Sequence, residues 1–147
     1  MIVVVVAVIE RDDRRLLIGQ RRRNDTSPLK WEFPGGKARE GEALDAALAR
    51  ELREELDVTL RKSAEIARVN HKYGETAEEF EIRFFAANIV EAMVEPRAFE
   101  QVRWVLPKEL ADYDFLAANA PLVANLATGR IKPAEILQKA FPPDRTT

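Results

Sequence analysis

A chain of 147 residues is long enough for one domain with a buried core and too short for two ordinary domains. Charged residues make up 33% of it and hydrophobic residues 46%, which is typical of a globular protein, while a formal net charge of −2 argues against a global positive field that would hold a nucleic-acid polymer. The absence of cysteine excludes disulfides and thiolate metal sites and is compatible with a cytoplasmic location.

The N-terminal part of the chain predicts strands joined by turns. The apolar run at residues 2–9 is too short to span a bilayer and lacks the features of a signal peptide, so its β-branched composition predicts a buried central strand and no membrane segment. A second strand is predicted at 14–22, a loop at 24–28, a short extended segment at 31–33 and a sharp glycine bend at 34–36.

One helix dominates the middle of the chain, with strands and shorter helices after it. The predicted order is a helix at 42–56, strands at 58–72, 78–91 and 101–105, a helical turn at 107–110, and helices at 119–127 and 132–141. Strands around one strong central helix favour an α/β or α+β fold built in layers. We expect residues 1–130 to form a single domain and residues 131–147 to be a C-terminal extension with a short helix and a tail.

The central helix departs from its own hydrophobic pattern. Four apolar residues recur at spacings of three and four and define a face directed at the core: Leu44, Ala47, Leu48 and Leu52. Continuing that face predicts apolar residues where the sequence has Glu51 and Glu55, with Glu54 beside them. Neighbouring carboxylates repel one another, more strongly when they are partly buried. A hard divalent cation such as Mg²⁺, which prefers oxygen ligands, would offset this repulsion.

The same acids allow a simpler interpretation, an exposed acidic helix face interspersed with Arg50 and Arg53. Two observations favour the metal site instead. The acids interrupt the apolar face rather than lie opposite it, and the glycine pair at 35–36 would let the backbone approach a metal or a phosphate closely. The helix pattern alone leaves both interpretations open.

Residues 36–58 closely resemble the signature of the Nudix hydrolases. That signature is a glycine, five residues, a glutamate, seven residues, and then Arg-Glu-apolar-x-Glu-Glu-x-Gly-apolar. Its defined positions are present here from Gly36 through Glu42 to the run at 50–58, except that Asp57 stands in place of the last glycine. Asp tolerates the left-handed backbone conformation of a helix end less well than Gly and better than most residues, so we expect a local cost and no loss of chemistry.

The resemblance covers residues 3–127 and extends to the MutT-type branch of the family, which removes oxidised nucleotides. The segment at 31–37 is similar to the part of that branch that precedes the signature, and residues 103–110 and 116–121 are similar to its late strand, turn and final helix start. The resemblance implies a Nudix-like α/β/α sandwich with a mixed β-sheet.

The resemblance also implies roles for individual residues. Glu51, Glu54 and Glu55, with the carbonyl group of Gly35, would hold Mg²⁺, for which Mn²⁺ is a possible substitute. Arg50 would orient the carboxylates as a member of the catalytic group with Glu51 and Glu54, and Glu51 is the first candidate for the base that activates water. Glu42 would support the preceding loop.

One acid of the MutT-like pattern is missing. These enzymes often carry an additional acid six residues before the late tryptophan, and this chain has Ala98 there. Glu95 and Glu100 lie nearby, and Glu100 is the candidate for a further metal ligand. The identity of the base and the number of metal ions therefore stay open.

The resemblance places a second group of residues against the nucleotide. Arg22 and Asn119 match positions that face the purine, Phe33 lies in the same neighbourhood, and Gly36 and Lys37 complete the predicted substrate-binding set. An asparagine presents both a donor and an acceptor to a base edge, and an aromatic ring can stack on it. The alternatives are that Asn119 is a helix N-cap and that Arg22 belongs to a solvated strand end.

The implied activity is Mg²⁺-dependent hydrolysis of a nucleoside triphosphate to the monophosphate and pyrophosphate. The favoured substrate is 8-oxo-dGTP, which implies a role in DNA repair through cleaning of the nucleotide pool. The alternatives are a CTP-like or broad-specificity pyrophosphohydrolase and, from another class, a non-catalytic nucleotide sensor. The expected partner is a small-molecule nucleotide, bound by a monomer or homodimer, with no nucleic-acid polymer and no membrane.

Overall fold

A computed structural model describes residues 1–72 and 78–143 of the chain. The strands within these residues are β1 (Ile2–Ile9), β2 (Leu16–Gln20), β3 (Trp31–Glu32), β4 (Gly35–Lys37), β5 (Leu60–Lys72), β6 (Glu79–Ile89) and β7 (Gln101–Val105). The helices are α1 (Leu44–Leu56), α2 (Ala120–Ala127) and α3 (Pro133–Ala140), and 3-10 turns lie at Pro107–Asp112 and Ala117–Asn119.

The strands form two sheets. The larger sheet has the order β4-β1-β6-β5 and is mixed, because β1 and β6 run parallel while the other neighbours are antiparallel. The smaller sheet, β3-β2-β7, is antiparallel. The predicted α+β class with a mixed sheet is confirmed, and a second sheet accompanies it.

Strand β1 is buried on both faces, as its apolar composition predicts. Successive side chains of a strand point to opposite faces. Val6 and Val8 therefore belong to the core cluster that contains the apolar residues of α2, whereas Val5 and Ala7 belong to the cluster that contains those of α1. Helices thus cover both sides of the central strand.

The bend predicted at 34–36 is seen only at Pro34, because Gly35–Lys37 forms strand β4. This strand runs antiparallel to β1, with Gly35 opposite Val6. A Cβ atom added at Gly35 would collide with the carbonyl oxygen of Val5. The glycine permits a close approach of two backbones here rather than a turn.

Helix α1 begins at Leu44, later than predicted, because Ala43 is still extended (φ −63°, ψ 144°). The helix ends at Leu56, and Asp57 follows in the left-handed conformation (φ 54°, ψ 46°), with its N–H donating to the carbonyl oxygen of Arg53. Asp57 therefore adopts the backbone conformation that the signature glycine would adopt.

The C-terminal extension contains the predicted helix. Helix α3 packs against β5 and β6, and its first residue, Pro133, is buried. The predicted tail falls largely on residues 144–147, which lie outside the described residues. None of the helices in the described ranges is long and apolar enough to cross a membrane.

Candidate active site

One arginine organises the acidic face of α1. The Nη1 atom of Arg50 donates to Glu51 Oε1 at 2.9 Å, and both carboxylate oxygens of Glu54 lie 3.5 Å from the same nitrogen. The Nε and Nη2 atoms bind the carboxylate of Glu42 at 2.9 Å each, and Nη2 also donates to the carbonyl oxygen of Lys37 at 3.0 Å. This placement is the one that an orienting role for Arg50 requires.

Glu55 is a partly buried carboxylate surrounded by other acids. The N–H group of Gly35 donates to its Oε1 atom at 2.8 Å. Burial raises the pKa of Glu55 to about 8, and the charges of Glu32, Glu51 and Glu54 act in the same direction. Glu55 therefore lies where a negative charge is unfavourable unless a cation offsets it.

Gly36 lies directly against Glu51. A Cβ atom added at Gly36 would collide with the carboxylate of Glu51, so the absence of a side chain makes room for this acid between β4 and α1. The side chain of Glu51 is 13% exposed, whereas that of Glu54 is 52% exposed. The acidic group thus runs from the enclosed Glu55 to the solvent at Glu54.

The donor set of this group fits a hard divalent cation. Glu51, Glu54 and Glu55 offer only oxygen ligands, and burial together with the neighbouring acids raises the pKa of Glu55, which a bound cation would oppose. Within the described ranges, no three acidic or histidine side chains are already arranged as a cage. Arg50 accounts for part of this, because it holds Glu51 and Glu54 in its own hydrogen bonds.

Glu32 is a residue of the site that sequence reasoning missed. It ends β3, its Oε2 atom accepts from Arg21 Nη1 at 2.6 Å, and its charge raises the pKa of Glu55. Burial raises the pKa of Glu32 as well, although Arg21 opposes this. The available signal was a glutamate between the buried aromatic residues Trp31 and Phe33, because acids are rarely buried without a partner.

A cavity of about 220 Å³ lies beside the acidic group. Four predicted substrate-binding residues line it, namely Phe33, Gly36, Lys37 and Asn119. Phe80, which also lines it, packs against the core and has Lys37 Nζ at 5.7 Å from its ring centroid. Two larger cavities border α3 and are lined by other residues. The structure therefore gathers most of the predicted substrate-binding set next to the acids.

Asn119 is a buried polar residue in this cavity, with 6% of its surface exposed. It immediately precedes α2, yet within the described chain its side chain makes no capping hydrogen bond to the helix. Asn119 thus occupies the N-cap position of α2, as the alternative predicted, but its side chain does not cap the helix, and the residue lines the cavity.

The structure brings Arg21, rather than the predicted Arg22, to the cavity. Arg21 lines the cavity with Glu32, whereas Arg22 is exposed and its Nη2 atom donates to the carbonyl oxygen of Arg97. The two consecutive arginines therefore lie in different places, Arg21 at the cavity and Arg22 at the carbonyl group of Arg97.

The structure does not bring Glu100 to the acidic group either. Its Oε1 atom lies 3.4 Å from Arg23 Nε, and its backbone N–H donates to the carbonyl oxygen of Gln20. Phe99 occupies the space beside Gly19, and Glu100 follows with its side chain on Arg23. Glu32, and not Glu100, is the additional acid close to Glu55.

Known proteins share sequence and fold with this chain. Residues 1–126 match the family described as the NUDIX domain. The CTP pyrophosphohydrolase of Escherichia coli (strain K12) is 31% identical over 136 residues, covering 92% of this chain and 98% of that protein. The putative 8-oxo-dGTP diphosphatase 2 of Mycobacterium tuberculosis (strain H37Rv) is 34% identical over 115 residues, covering 76% and 79%.

Solved structures extend the agreement to the fold. A structure from work on MutT of Aliivibrio salmonicida and Vibrio cholerae has 27% sequence identity and a TM-score of 0.74, covering 87% of this chain and 98% of that chain. The solution structure of the E. coli ORF135 protein has 29% identity and a TM-score of 0.69, covering 98% and 95%.

The family match, the relatives and the mixed sheet with helices on both sides together identify the class of this protein as Nudix hydrolase. The chain belongs to the Nudix family and is a Nudix pyrophosphohydrolase of the MutT-like branch. Enzymes of this family generally use a divalent metal ion. The non-catalytic sensor is therefore not supported.

Proposed function

We propose that this protein hydrolyses a nucleoside triphosphate to the monophosphate and pyrophosphate with Mg²⁺, for which Mn²⁺ can substitute. The observation that carries the proposal is the group formed by Glu51, Glu54 and Glu55 on α1, in which the pKa of Glu55 is raised to about 8 beside a cavity lined by aromatic and amide side chains.

The residues of the acidic group have different roles in the proposed reaction. Glu51, Glu54 and Glu55, with the carbonyl group of Gly35, would hold the cation, which supplies neutralisation of the phosphate oxygens and activation of water when it is bound. Arg50 keeps two of these carboxylates in place. Water forms a new bond to the α- or the β-phosphorus, and the anhydride bond between the two breaks with its electron pair on the departing group, which is pyrophosphate in the first case and the monophosphate in the second. Glu51 accepts the proton of the water.

We propose 8-oxo-dGTP as the favoured substrate. Asn119 and Phe33 support this choice, because an amide can pair with the altered edge of an oxidised guanine and an aromatic ring can stack on it. The relative from M. tuberculosis is named for the same substrate. A role in keeping oxidised nucleotides out of DNA and a cytoplasmic location follow from this choice and remain predictions.

CTP is the second candidate, and a specific observation favours it. Glu32 places a carboxylate in the cavity, and a carboxylate accepts a hydrogen bond from the amino group of cytosine. The relative named CTP pyrophosphohydrolase is matched over almost its whole length.

Turnover measurements separate the candidates. We expect kcat/KM for 8-oxo-dGTP to exceed that for dGTP and CTP by at least about tenfold, a difference of about 1.4 kcal/mol in transition-state binding. Equal values of kcat/KM would contradict the proposal of 8-oxo-dGTP as the favoured substrate, and a preference for CTP would establish the second candidate.

Glu54→Gln should abolish most turnover of every substrate, and pyrophosphate rather than orthophosphate should be released. Absence of any product from all three nucleotides with Mg²⁺ or Mn²⁺ would contradict the proposed function itself.

A further inference from the structure

Asp57 stands where the Nudix signature has glycine, and its carboxylate binds two arginines. Arg97 Nη2 lies 3.0 Å from Asp57 Oδ2, and Arg53 Nη1 lies 3.3 Å from Asp57 Oδ1. Its backbone has φ 54°, where glycine would be less strained than aspartate. The two ion pairs are interactions that a glycine at this position would not make.

Arg97 belongs to the segment at residues 90–100, here named the β6–β7 loop. The backbone of this loop covers the end of α1: the N–H of Glu95 donates to the carbonyl oxygen of Leu56 at 3.0 Å, and the N–H of Ala98 donates to that of Glu55 at 3.3 Å. Glu55 is therefore held at two points, through its carbonyl group by the loop and through its carboxylate by Gly35.

Further contacts fasten the same loop elsewhere. Near its start, both carboxylate oxygens of Glu91 accept hydrogen bonds from Thr59, at 2.7 and 2.8 Å. In the middle of the loop, the carbonyl oxygen of Arg97 accepts a hydrogen bond from the side chain of Arg22, which lies in the segment after β2. Arg97 thus joins the loop to α1 through its side chain and to the segment after β2 through its backbone.

The exposure of the ion pair decides which kind of role it can have. The side chains of Arg97 and Asp57 are 50% and 36% exposed. Ion pairs this exposed contribute little to global stability. We therefore expect the ion pair between Arg97 and Asp57 to affect the placement of the loop more than the stability of the whole domain.

We propose that Asp57 is a positioning residue, which together with Arg97 holds the β6–β7 loop against the end of α1 and so keeps Glu55 in its metal-binding place. The role in metal binding rests on the function proposed above. Ala98 gives the loop no acidic ligand at the position where MutT-like enzymes often have one, so the loop acts on the site by fixing Glu55.

Two substitutions test the proposal. Asp57→Gly removes the carboxylate and relieves the left-handed backbone, and Arg97→Gln removes its partner. We expect the amide hydrogens of Glu95 and Ala98 to exchange about tenfold faster in both variants, because the loop opens more often. The affinity for Mn²⁺ should fall about fivefold and the KM for the metal–nucleotide complex should rise about fivefold, because Glu55 is less well positioned. The kcat should change less than about twofold.

The controls separate placement from folding. Arg68→Gln breaks an exposed ion pair with Glu65 on β5 and should leave all these quantities unchanged. Asp57→Asn keeps the tolerance of the left-handed conformation and a hydrogen-bonding side chain, and should restore part of the amide protection. The melting temperature of Asp57→Gly should not fall, whereas a purely structural role would lower it.

Unchanged amide exchange in Asp57→Gly and Arg97→Gln, or faster exchange with unchanged Mn²⁺ affinity, would overturn the inference. The exchange and Mn²⁺ measurements need no turnover. If the unsubstituted protein bound Mn²⁺ but hydrolysed no nucleotide, the proposed function would fail, and the two variants would still decide the role of Asp57.

Discussion

At the scale of single residues, Glu55 connects the site to the stability of the protein. Its pKa is raised from an ordinary value of 4.5 to about 8, first by burial and then by the neighbouring acids. Between these two values the metal-free folded protein holds a proton that the unfolded chain has released. Its free energy of unfolding therefore falls as the pH rises from about 4.5 to about 8.

Replacing Glu55 by Gln should remove the contribution of Glu55 to this pH dependence and leave that of Glu32, whose pKa is also raised. The variant should be more stable than the unsubstituted protein at pH 8, by at most about 5 kcal/mol. At pH 4 it should be no more stable, because the side chain at position 55 is then uncharged in both folded proteins. Urea unfolding without divalent ions at several pH values measures this, with Asp45→Asn on the exposed side of α1 as the control. Equal pH profiles for Glu55→Gln and the unsubstituted protein would contradict the prediction.

Gly36 allows a second test at a single position. Gly36→Ala places a Cβ atom in the space that the carboxylate of Glu51 occupies. We therefore expect this acid to be displaced and kcat to fall by about a hundredfold. Gly41→Ala is the matched control: Gly41 has φ 76° and an added Cβ would meet nothing within 4 Å, so this change should lower stability by about 1 kcal/mol and preserve turnover. Equal losses of activity in both variants would show that the loss comes from the substitution of a glycine in general and not from the displacement of Glu51.

At the scale of elements, helix α1 shows what the sequence makes predictable. Its acids could be located because the 3.6-residue period is local: Leu48 and Leu52 define the buried face, and Glu51 and Glu55 interrupt it. The strand β4 was not predicted, because its pairing with β1 depends on residues about thirty positions away. The missed Glu32 has the same origin, since its direction depends on which way a short strand faces, and the different places of Arg21 and Arg22 depend on the course of the chain after β2.

Helix α3 provides a prediction about the extension. Removing residues 131–147 should preserve turnover within about twofold, because none of the acids of α1 contacts α3 among the described contacts, and should lower stability by about 1–3 kcal/mol through loss of its apolar contacts with β5 and β6. Steady-state kinetics and thermal unfolding of the shortened chain measure both quantities. A shortened chain that folds but has lost its activity would show that the extension belongs to the catalytic domain.

At the scale of the whole molecule, charge explains why the proposed reaction would need a metal ion. The protein carries a net charge of −2, three glutamates lie close together on α1, and the proposed substrate is a polyanion. Arg50 is already engaged with Glu42 and Glu51. Divalent cations are therefore the means by which an anionic site can hold an anionic phosphate chain.

Titration of the protein with Mn²⁺, followed by the loss of the free-ion electron paramagnetic resonance signal, tests this central claim most directly. We expect the unsubstituted protein to bind Mn²⁺, Mg²⁺ to compete for the site, and Glu54→Gln to weaken binding by about tenfold or more, while Glu135→Gln on α3 leaves it unchanged. No binding by the unsubstituted protein, with or without a nucleotide, or equal binding by Glu54→Gln, would contradict the account.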